Sequence, residues 1–427
     1  MKKKVAIFPA GTEIGLEING ALKYSNHVEV YGFTSLKDHS EYVYANYVEG
    51  LPLYSAEGFI DTLNENVEKY GIDFIYPAHD DVQLCLTENV DRLKATLITT
   101  DLETVKICRS KIETYRFFGE KDFVPTIYEN KESVEAFPVF IKPDVGQGSR
   151  GAKVIKSAYE LEHAFYENPN IVVCEYLPGE EYTIDCFTDF NGTLRVCKLR
   201  NRKRIRNGIS VNSEILPMND KVMQIAQTIN SRLRFNGAWF FQLKRARNDE
   251  YKLLEIAPRV AGTMGLSRNT GVNYPLLTIF NARIMPVSII ENQYEIEVDR
   301  AFINRYKTNL TYDTVYLDLD DTLIVNGKVN SFLMMFLYQL VNEQKSIKLI
   351  SKHQKDIMET LSKHHISPEL FDEIVHLERD DDKSNYLTEK NAIFIDDSFA
   401  ERYRVSQNTG ISVFDCSEIE ALIDWRV

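Results

Sequence analysis

The chain has 427 residues, 44% hydrophobic, 11% aromatic and 26% charged, a composition that excludes a single small module, a disordered chain and a fibre. Lysine and arginine number 50 against 63 aspartates and glutamates, so the formal net charge is −13, the wrong sign for a protein devoted to a phosphate backbone. The six cysteines are scattered without zinc-ligand spacing and the longest apolar run, residues 332–341, is too short to cross a bilayer; a reduced, cytoplasmic protein with no nucleic-acid and no membrane partner is expected.

Val5-Ala6-Ile7-Phe8 reads as a short strand, followed by the turn Pro9-Ala10-Gly11-Thr12-Glu13-Ile14-Gly15 and a helical pattern through Leu22. A strand over 28–33, a helix over 59–69 and the strand Phe74-Ile75-Tyr76 continue the alternation, so residues 1–105 are expected to form a parallel, doubly wound β/α layer. Pro77-Ala78-His79-Asp80-Asp81 follows a strand end, where open α/β sheets place ligands. Asp80 or Asp81 is either an amine site or part of an ordinary turn, and His79 is read as structural. From residue 106 the strand signals turn antiparallel (139–142, 154–155, 171–173, 182–187, 239–243, 251–256), which predicts an α+β domain over 106–304. After the polar linker Arg305-Tyr306-Lys307-Thr308-Asn309-Leu310-Thr311, a fresh β/α series fills residues 312–427.

Gly146-Gln147-Gly148-Ser149-Arg150-Gly151 has the letters of a dinucleotide-binding turn but not its context. Ala152-Lys153-Val154-Ile155 after it is another strand, and the helix starts only at Ser157, whose Glu160 is expected to complete a capping box. The glycines therefore sit in a β-hairpin, either a plain turn or a lid whose amides approach phosphates beside Lys142. Around it, in order, come Ser110-Lys111-Ile112-Glu113-Thr114-Tyr115, Phe137-Pro138-Val139-Phe140-Ile141-Lys142-Pro143, Val173-Cys174-Glu175-Tyr176-Leu177-Pro178-Gly179-Glu180-Glu181, Phe241-Gln242-Leu243-Lys244 and Leu254-Glu255-Ile256-Ala257-Pro258-Arg259. Jointly these resemble the ATP-grasp superfamily, particularly its carbamoyl-phosphate-synthetase-like branch and the amino-acid and peptide ligases, over residues 1 to about 300.

The resemblance implies a Rossmann-like layer ahead of an ATP-grasp fold, with ATP and Mg²⁺ (Mn²⁺ as an alternative) as cofactors. Lys111 and Lys142 would hold the phosphates under the loop of Gly146, Gly148, Ser149 and Gly151. Glu175, Tyr176 and Leu177 would form the adenine hinge, Glu181 would accept from the ribose, and Gln242 with Glu255 would share a magnesium ion. Arg259 would stabilise the transferring γ-phosphoryl group. Family members commonly carry Asn two residues after the metal-binding Glu; Ala257 stands there, so a second metal would be held less well or through water. The implied chemistry activates a carboxylate as an acyl phosphate for attack by an amine. Arg202 and Arg204 share a face if their stretch is extended, and would either grip the substrate or belong to a solvated basic surface.

Tyr316-Leu317-Asp318-Leu319-Asp320-Asp321-Thr322-Leu323 puts carboxylates just past a hydrophobic strand, which implies a charged site rather than a core. Ile347-Lys348-Leu349-Ile350-Ser351, Asp381-Asp382-Lys383-Ser384 and Ala392-Ile393-Phe394-Ile395-Asp396-Asp397-Ser398 follow. This series resembles the haloacid dehalogenase-like (HAD) phosphatases and implies a HAD-like Rossmannoid domain. In it Asp318 would be the nucleophile, Asp320 the general acid and base, and Ser351 and Lys383 the phosphoryl ligands. Asp318, Asp320 and Asp396 would hold Mg²⁺, with Asp397 supporting that shell. Residues 322–350 and 352–382 each have room for little more than a helix and a strand, so no large cap is expected. A degenerate, inactive domain is the alternative.

A bifunctional enzyme is expected: a carboxylate–amine ligase with a magnesium-dependent phosphatase, acting on small molecules of which one is phosphorylated, with a homodimer allowed. The rival expectation is a metabolite phosphatase gated by an ATP-binding module that does not turn over.

Overall fold

Val5-Ala6-Ile7-Phe8 is buried because it lies at the centre of a parallel sheet, where both faces are packed. That sheet holds β1 (Lys3–Phe8), β2 (Val28–Phe33), β3 (Asn46–Val48), β4 (Phe74–Pro77) and β5 (Thr96–Leu97) in the order β3-β2-β1-β4-β5. In this computed structural model residues 2–426 are described, apart from Gln147 and Ser149. They form two compact units, Met1–Phe302 and Ile303–Val427.

The first sheet alternates with α1 (Glu13–Leu22), α2 (Phe59–Tyr70) and α3 (Asp80–Glu88). Phe8 pairs with Pro77, so the turn at Thr12 and the His79-Asp80 turn emerge side by side at the carboxyl end of the sheet. Next, α4 (Leu102–Arg109) and α5 (Lys111–Phe118) lead into a four-stranded antiparallel sheet of β6 (Ile127–Tyr128), β7 (Val139–Pro143), β8 (Lys153–Ile155) and β9 (Ile171–Glu175). The glycine-rich loop joins β7 to β8 as a hairpin. Ser157 caps α6 (Ala158–Glu167) by accepting from the Glu160 amide. The expected capping box is not closed, because the Glu160 carboxylate accepts from the Lys156 amide instead of returning to Ser157.

A larger antiparallel sheet comprises β10 (Glu181–Thr188), β11 (Leu194–Asn201), β12 (Arg204–Arg206), β13 (Ile209–Leu216), β14 (Gly237–Arg245), β15 (Tyr251–Ala257) and β16 (Glu297–Asp299). Helices α7 (Asp220–Arg232), α8 (Gly265–Arg268) and α9 (Tyr274–Ala282) complete the unit. Alternation along β14 sends Trp239, Phe241 and Leu243 into the core and leaves Gln242 and Lys244 on the opposite face. On that face Thr183, Gln242 and Glu255 form one row across β10, β14 and β15, and Glu181 faces Lys244.

The second unit is a five-stranded parallel sheet ordered β21-β20-β17-β22-β23, from β17 (Thr314–Leu317), β20 (Ser346–Ser351), β21 (Glu373–His376), β22 (Ala392–Ile395) and β23 (Ser412–Phe414). A hairpin of β18 (Ile324–Val325) and β19 (Lys328–Val329) follows β17, and α10 (Ser331–Asn342), α11 (Ile357–Lys363) and α12 (Phe399–Thr409) connect the rest. No helix among the described residues is long and apolar enough to cross a membrane.

Trp239 is fully buried, stacks on Phe235 with ring centroids 3.9 Å apart and donates to Thr188 Oγ1 over 2.8 Å. Trp239→Ala is expected to destabilise the first unit by about 3–5 kcal/mol, read as a lower urea midpoint by circular dichroism.

Candidate active sites

Two cavities in the first unit share a wall. The smaller, about 280 Å³, is lined from both antiparallel sheets; the larger, about 770 Å³, reaches the carboxyl end of the parallel sheet. Lys111, Gly146, Gly148, Arg202, Gln242 and Glu255 belong to both. In the smaller cavity Phe140, Val154, Leu177 and Leu254 give apolar walls suited to a flat ring. The Glu175 carboxylate accepts from the Thr126 amide, while Glu175, Tyr176 and Leu177 line the pocket together.

Lys142 donates to Tyr115 Oη over 2.5 Å and to the Leu254 carbonyl over 3.2 Å; Lys111 donates to the Asp144 carbonyl over 3.1 Å. Burial pushes both ammonium pKa values down, and at Lys142 the Lys111 charge adds to the effect. Two desolvated cations that, among the described residues, donate to neutral oxygens suit an incoming phosphate chain. Glu181 accepts from Lys244 and from Arg202, each over 2.9 Å. The same Arg202 nitrogen donates to Gln242 Oε1 over 2.9 Å, and its other terminal nitrogen donates to the Gly208 carbonyl. The carboxylate of Glu255, beside Gln242, forms no hydrogen bond or ion pair with the other described side chains. An amide oxygen and an unpaired carboxylate on adjacent strands are hard donors of the kind Mg²⁺ takes.

Gly208 ends the Asn207-Gly208 turn between β12 and β13, with φ of 51° and 75°, the left-handed pair a two-residue hairpin needs. A Cβ on Gly208 would overlap the Gly148 backbone, so the two loops meet main chain to main chain. Gly151 lines neither cavity but sits at the base of its hairpin with φ 74°, and Ser149 lies outside the described residues.

In the larger cavity Arg259 donates through Nε and Nη2 to the two oxygens of Asp80, over 2.6 and 2.7 Å. Asp80 thus does more than shape a turn: it lines the larger cavity as the counter-charge of Arg259. Burial opposes its ionisation, but the Arg259 charge and hydrogen bonds outweigh burial and hold the carboxyl below its usual range. Asp81 pairs with Arg109, and His79 caps α3 by accepting from the Asp81 amide. Arg204 corrects the sequence reading: it is exposed and donates to both Asp299 oxygens over 2.8 Å, away from both cavities. Strand β11 ends at Asn201, so Arg202 lies in the connection before β12, and the pairing with β13 shifts between Arg204 and Ile205. Alternation cannot be carried across such a break. Lys244 was missed, although its place two residues after Gln242 puts it on the same strand face.

In the second unit Leu317 pairs with Leu349 and with Ile395, so Asp318, Ser351 and Asp396 emerge together at the carboxyl ends of β17, β20 and β22. Lys383 Nζ lies 2.8 Å from Asp318 Oδ1 and 2.6 Å from Asp396 Oδ2. Asp318, Asp396 and Asp397 offer oxygens within 4.8 Å of one another. Ser351 lies beside Asp318 and, with Lys383, favours its charged form against the effect of burial. Burial, opposed by Lys383 and reinforced by Asp318, pushes Asp396 up to about 6. Three clustered carboxylates offset by a single lysine are a hard oxygen donor set that fits a divalent cation. Asp320 is a second correction: it is exposed and bound to His353, and the carboxylate that joins Asp318 and Asp396 in the cluster is that of Asp397.

Residues 167–302 match a family model described as ATP-grasp in the biosynthetic pathway with Ter operon. Over 115 residues the chain is 29% identical to D-alanine–D-alanine ligase of Thermotoga petrophila and 30% identical to that of Thermotoga maritima, covering 25% of this chain. The chain spans 38% of the length of these relatives. Its fold is similar to Campylobacter jejuni biotin carboxylase in a β,γ-ATP complex (TM-score 0.56, 16% identity, 68% of this chain and 74% of that one). It is also similar to Staphylococcus aureus N5-carboxyaminoimidazole synthetase complexed with ADP (0.55, 16%, 68% and 81%) and to Bacillus licheniformis L-amino acid ligase (0.53, 15%, 68% and 75%). The chain contains an ATP-grasp domain within a mixed α/β architecture.

Asp80→Asn leaves Arg259 without its counter-charge and is expected to cost roughly 2–4 kcal/mol, somewhat less than breaking a fully buried pair, measured by urea denaturation at neutral pH. Because the folded carboxyl titrates below the unfolded value of about 3.9, that stability is complete above this pH and disappears as pH falls through the folded value. In the second unit Mg²⁺ binding requires ionised carboxylates, so calorimetric affinity should rise as pH increases through about 6, where Asp396 loses its proton.

Proposed function

We propose that the first unit joins a carboxylate to an amine with cleavage of ATP, and that the second is a HAD-like phosphatase that hydrolyses a phosphomonoester. The observation that carries the ligase reading is the shared wall: Gln242 and Glu255 face both cavities, with Lys111 and Lys142 beside them. The nucleotide occupies the smaller cavity with its triphosphate directed at this wall, and the acid and amine occupy the larger one. A substrate carboxylate oxygen bonds to the γ-phosphorus as the bond to ADP breaks. The amine nitrogen then attacks the acyl carbon, phosphate leaves, and the amine's proton goes to solvent. Lys111, Lys142 and Arg259 balance the moving negative charge, and Arg202 orients the acid. Gln242 and Glu255 would hold Mg²⁺, which would supply further charge neutralisation. The likeness to D-alanine–D-alanine ligase and L-amino acid ligase supports amide formation. We divide the unit into a β/α layer over residues 1–105 and an ATP-grasp domain over 106–304.

In residues 312–427 Asp318 is the nucleophile, Asp320 the general acid and base, and Ser351 with Lys383 the phosphoryl ligands. Asp318, Asp396 and Asp397 would hold Mg²⁺, which would offset their charge toward a phosphate dianion. The support is the convergence of these groups at the ends of neighbouring parallel strands. The economical joint reading is that one ligation partner is phosphorylated and loses that phosphate after ligation.

With ATP, Mg²⁺ and pooled acids and amines, mass spectrometry should show ADP and a new amide that require both partners, and Glu255→Gln should slow both by about 10²-fold or more. ADP formed without an amine-dependent amide would overturn the ligase assignment. Phosphomonoester hydrolysis unchanged by Asp318→Asn would overturn the phosphatase. ATP bound but left intact by the Asp318→Asn chain would identify a sensor module instead.

A further inference from the structure

Asp320 follows Asp318 by only two residues, yet its carboxylate leaves the acidic cluster and meets a histidine. His353 Nδ1 lies 2.9 and 3.0 Å from its two oxygens. This ring belongs to the segment after β20, two residues beyond Ser351. Its Nε2 is 2.8 Å from Thr360 Oγ1 on α11, and its carbonyl is bound by His376 Nε2 over 2.6 Å. When the carboxylate is ionised, Nδ1–H donates to it and Nε2 accepts from the Thr360 hydroxyl; when Asp320 carries its proton, the same Nδ1–H can donate to the carbonyl oxygen and leave the O–H free. The His353 side chain is 10% exposed and held through both ring nitrogens, with its main chain held by His376, whereas the side chain of Asp320 is 53% exposed. An exposed aspartate without such a partner would spread over several rotamers.

We propose that His353 is a positioning residue for Asp320, an inference that rests on the phosphatase reading above. It keeps the carboxylate at the mouth of the site, apart from the metal-binding carboxylates, where the leaving oxygen of a phosphomonoester departs. In the first step an Asp318 oxygen bonds to phosphorus as the bond from phosphorus to the leaving oxygen breaks, and the Asp320 proton passes to that oxygen. In the second, water attacks phosphorus, its proton returns to Asp320, and the bond to Asp318 breaks. His353 exchanges no proton; it holds Asp320 where the proton is needed. The segments after β17 and β20 are short, and the partner for the acid comes from the connection that leaves the neighbouring strand β20.

The test compares two aryl phosphates in the full chain with Mg²⁺. Phenyl phosphate has a basic leaving oxygen that needs a proton, and p-nitrophenyl phosphate has one that departs nearly unaided. His353→Leu should lower kcat on phenyl phosphate by about 10²-fold at unchanged KM and on p-nitrophenyl phosphate by no more than about threefold. His353→Asn, which keeps an N–H near the Nδ1 position, should recover most of the loss. His353→Gln should not, and Thr360→Val should fall between. Equal losses on the two substrates, a change confined to KM, or no loss at all would overturn the assignment provided that hydrolysis still depends on Asp318. Wild-type hydrolysis of neither ester, or hydrolysis indifferent to Asp318→Asn, would remove the phosphatase reading itself and this inference with it.

Discussion

The two-pronged ion pair between Arg259 and Asp80 joins parts of the first unit that are far apart in sequence and built on different physics. Asp80 opens a helix of the parallel layer, and Arg259 leaves the last long strand of the antiparallel sheet. Removing either charge strands the other in a largely enclosed place, so neither element can be displaced alone. Around it Gln83 donates to the Pro258 carbonyl, and Arg268 is bound to Glu17. The larger cavity has a fixed floor for this reason, and the guanidinium that would meet a transferring phosphoryl group is aimed by its partner.

The two units are prepared for opposite charges. In the first, Lys111 and Lys142 are held with depressed pKa values among neutral oxygens, so an arriving polyanion restores ordinary behaviour to both. In the second, burial works against the Lys383 ammonium, yet Asp318 and Asp396 outweigh it and keep it charged, while the two carboxyls stay above their usual range. One site lacks negative charge and the other lacks positive charge, and each shortage is what phosphoryl chemistry with a divalent cation makes good.

Much of this was legible in sequence because apolar periodicity and motif order are local. Alternation along Trp239-Phe240-Phe241-Gln242-Leu243-Lys244 sorts core from site, and the aspartates after Leu317 and Ile395 follow strands whose burial is evident from composition. The rest depends on distance or on rotamers. Asp80 and Arg259 are 179 residues apart, and no spacing rule joins them. Arg204 was misplaced because the chain leaves one strand and changes register on entering the next. Asp320 and His353 meet through side-chain choices made two residues beyond two different strands, and a lone histidine in a lysine-rich segment carries no pattern of its own.

Gly208 is constrained twice, by the sign of its φ and by the Gly148 main chain lying where a Cβ would go. The second demand comes from another loop and is invisible to any turn rule. In a library meant to alter what the larger cavity admits, position 208 is therefore closed to variation. Ile209 and Ser210, which line the same cavity from ordinary strand backbone, are the positions where diversity can be placed.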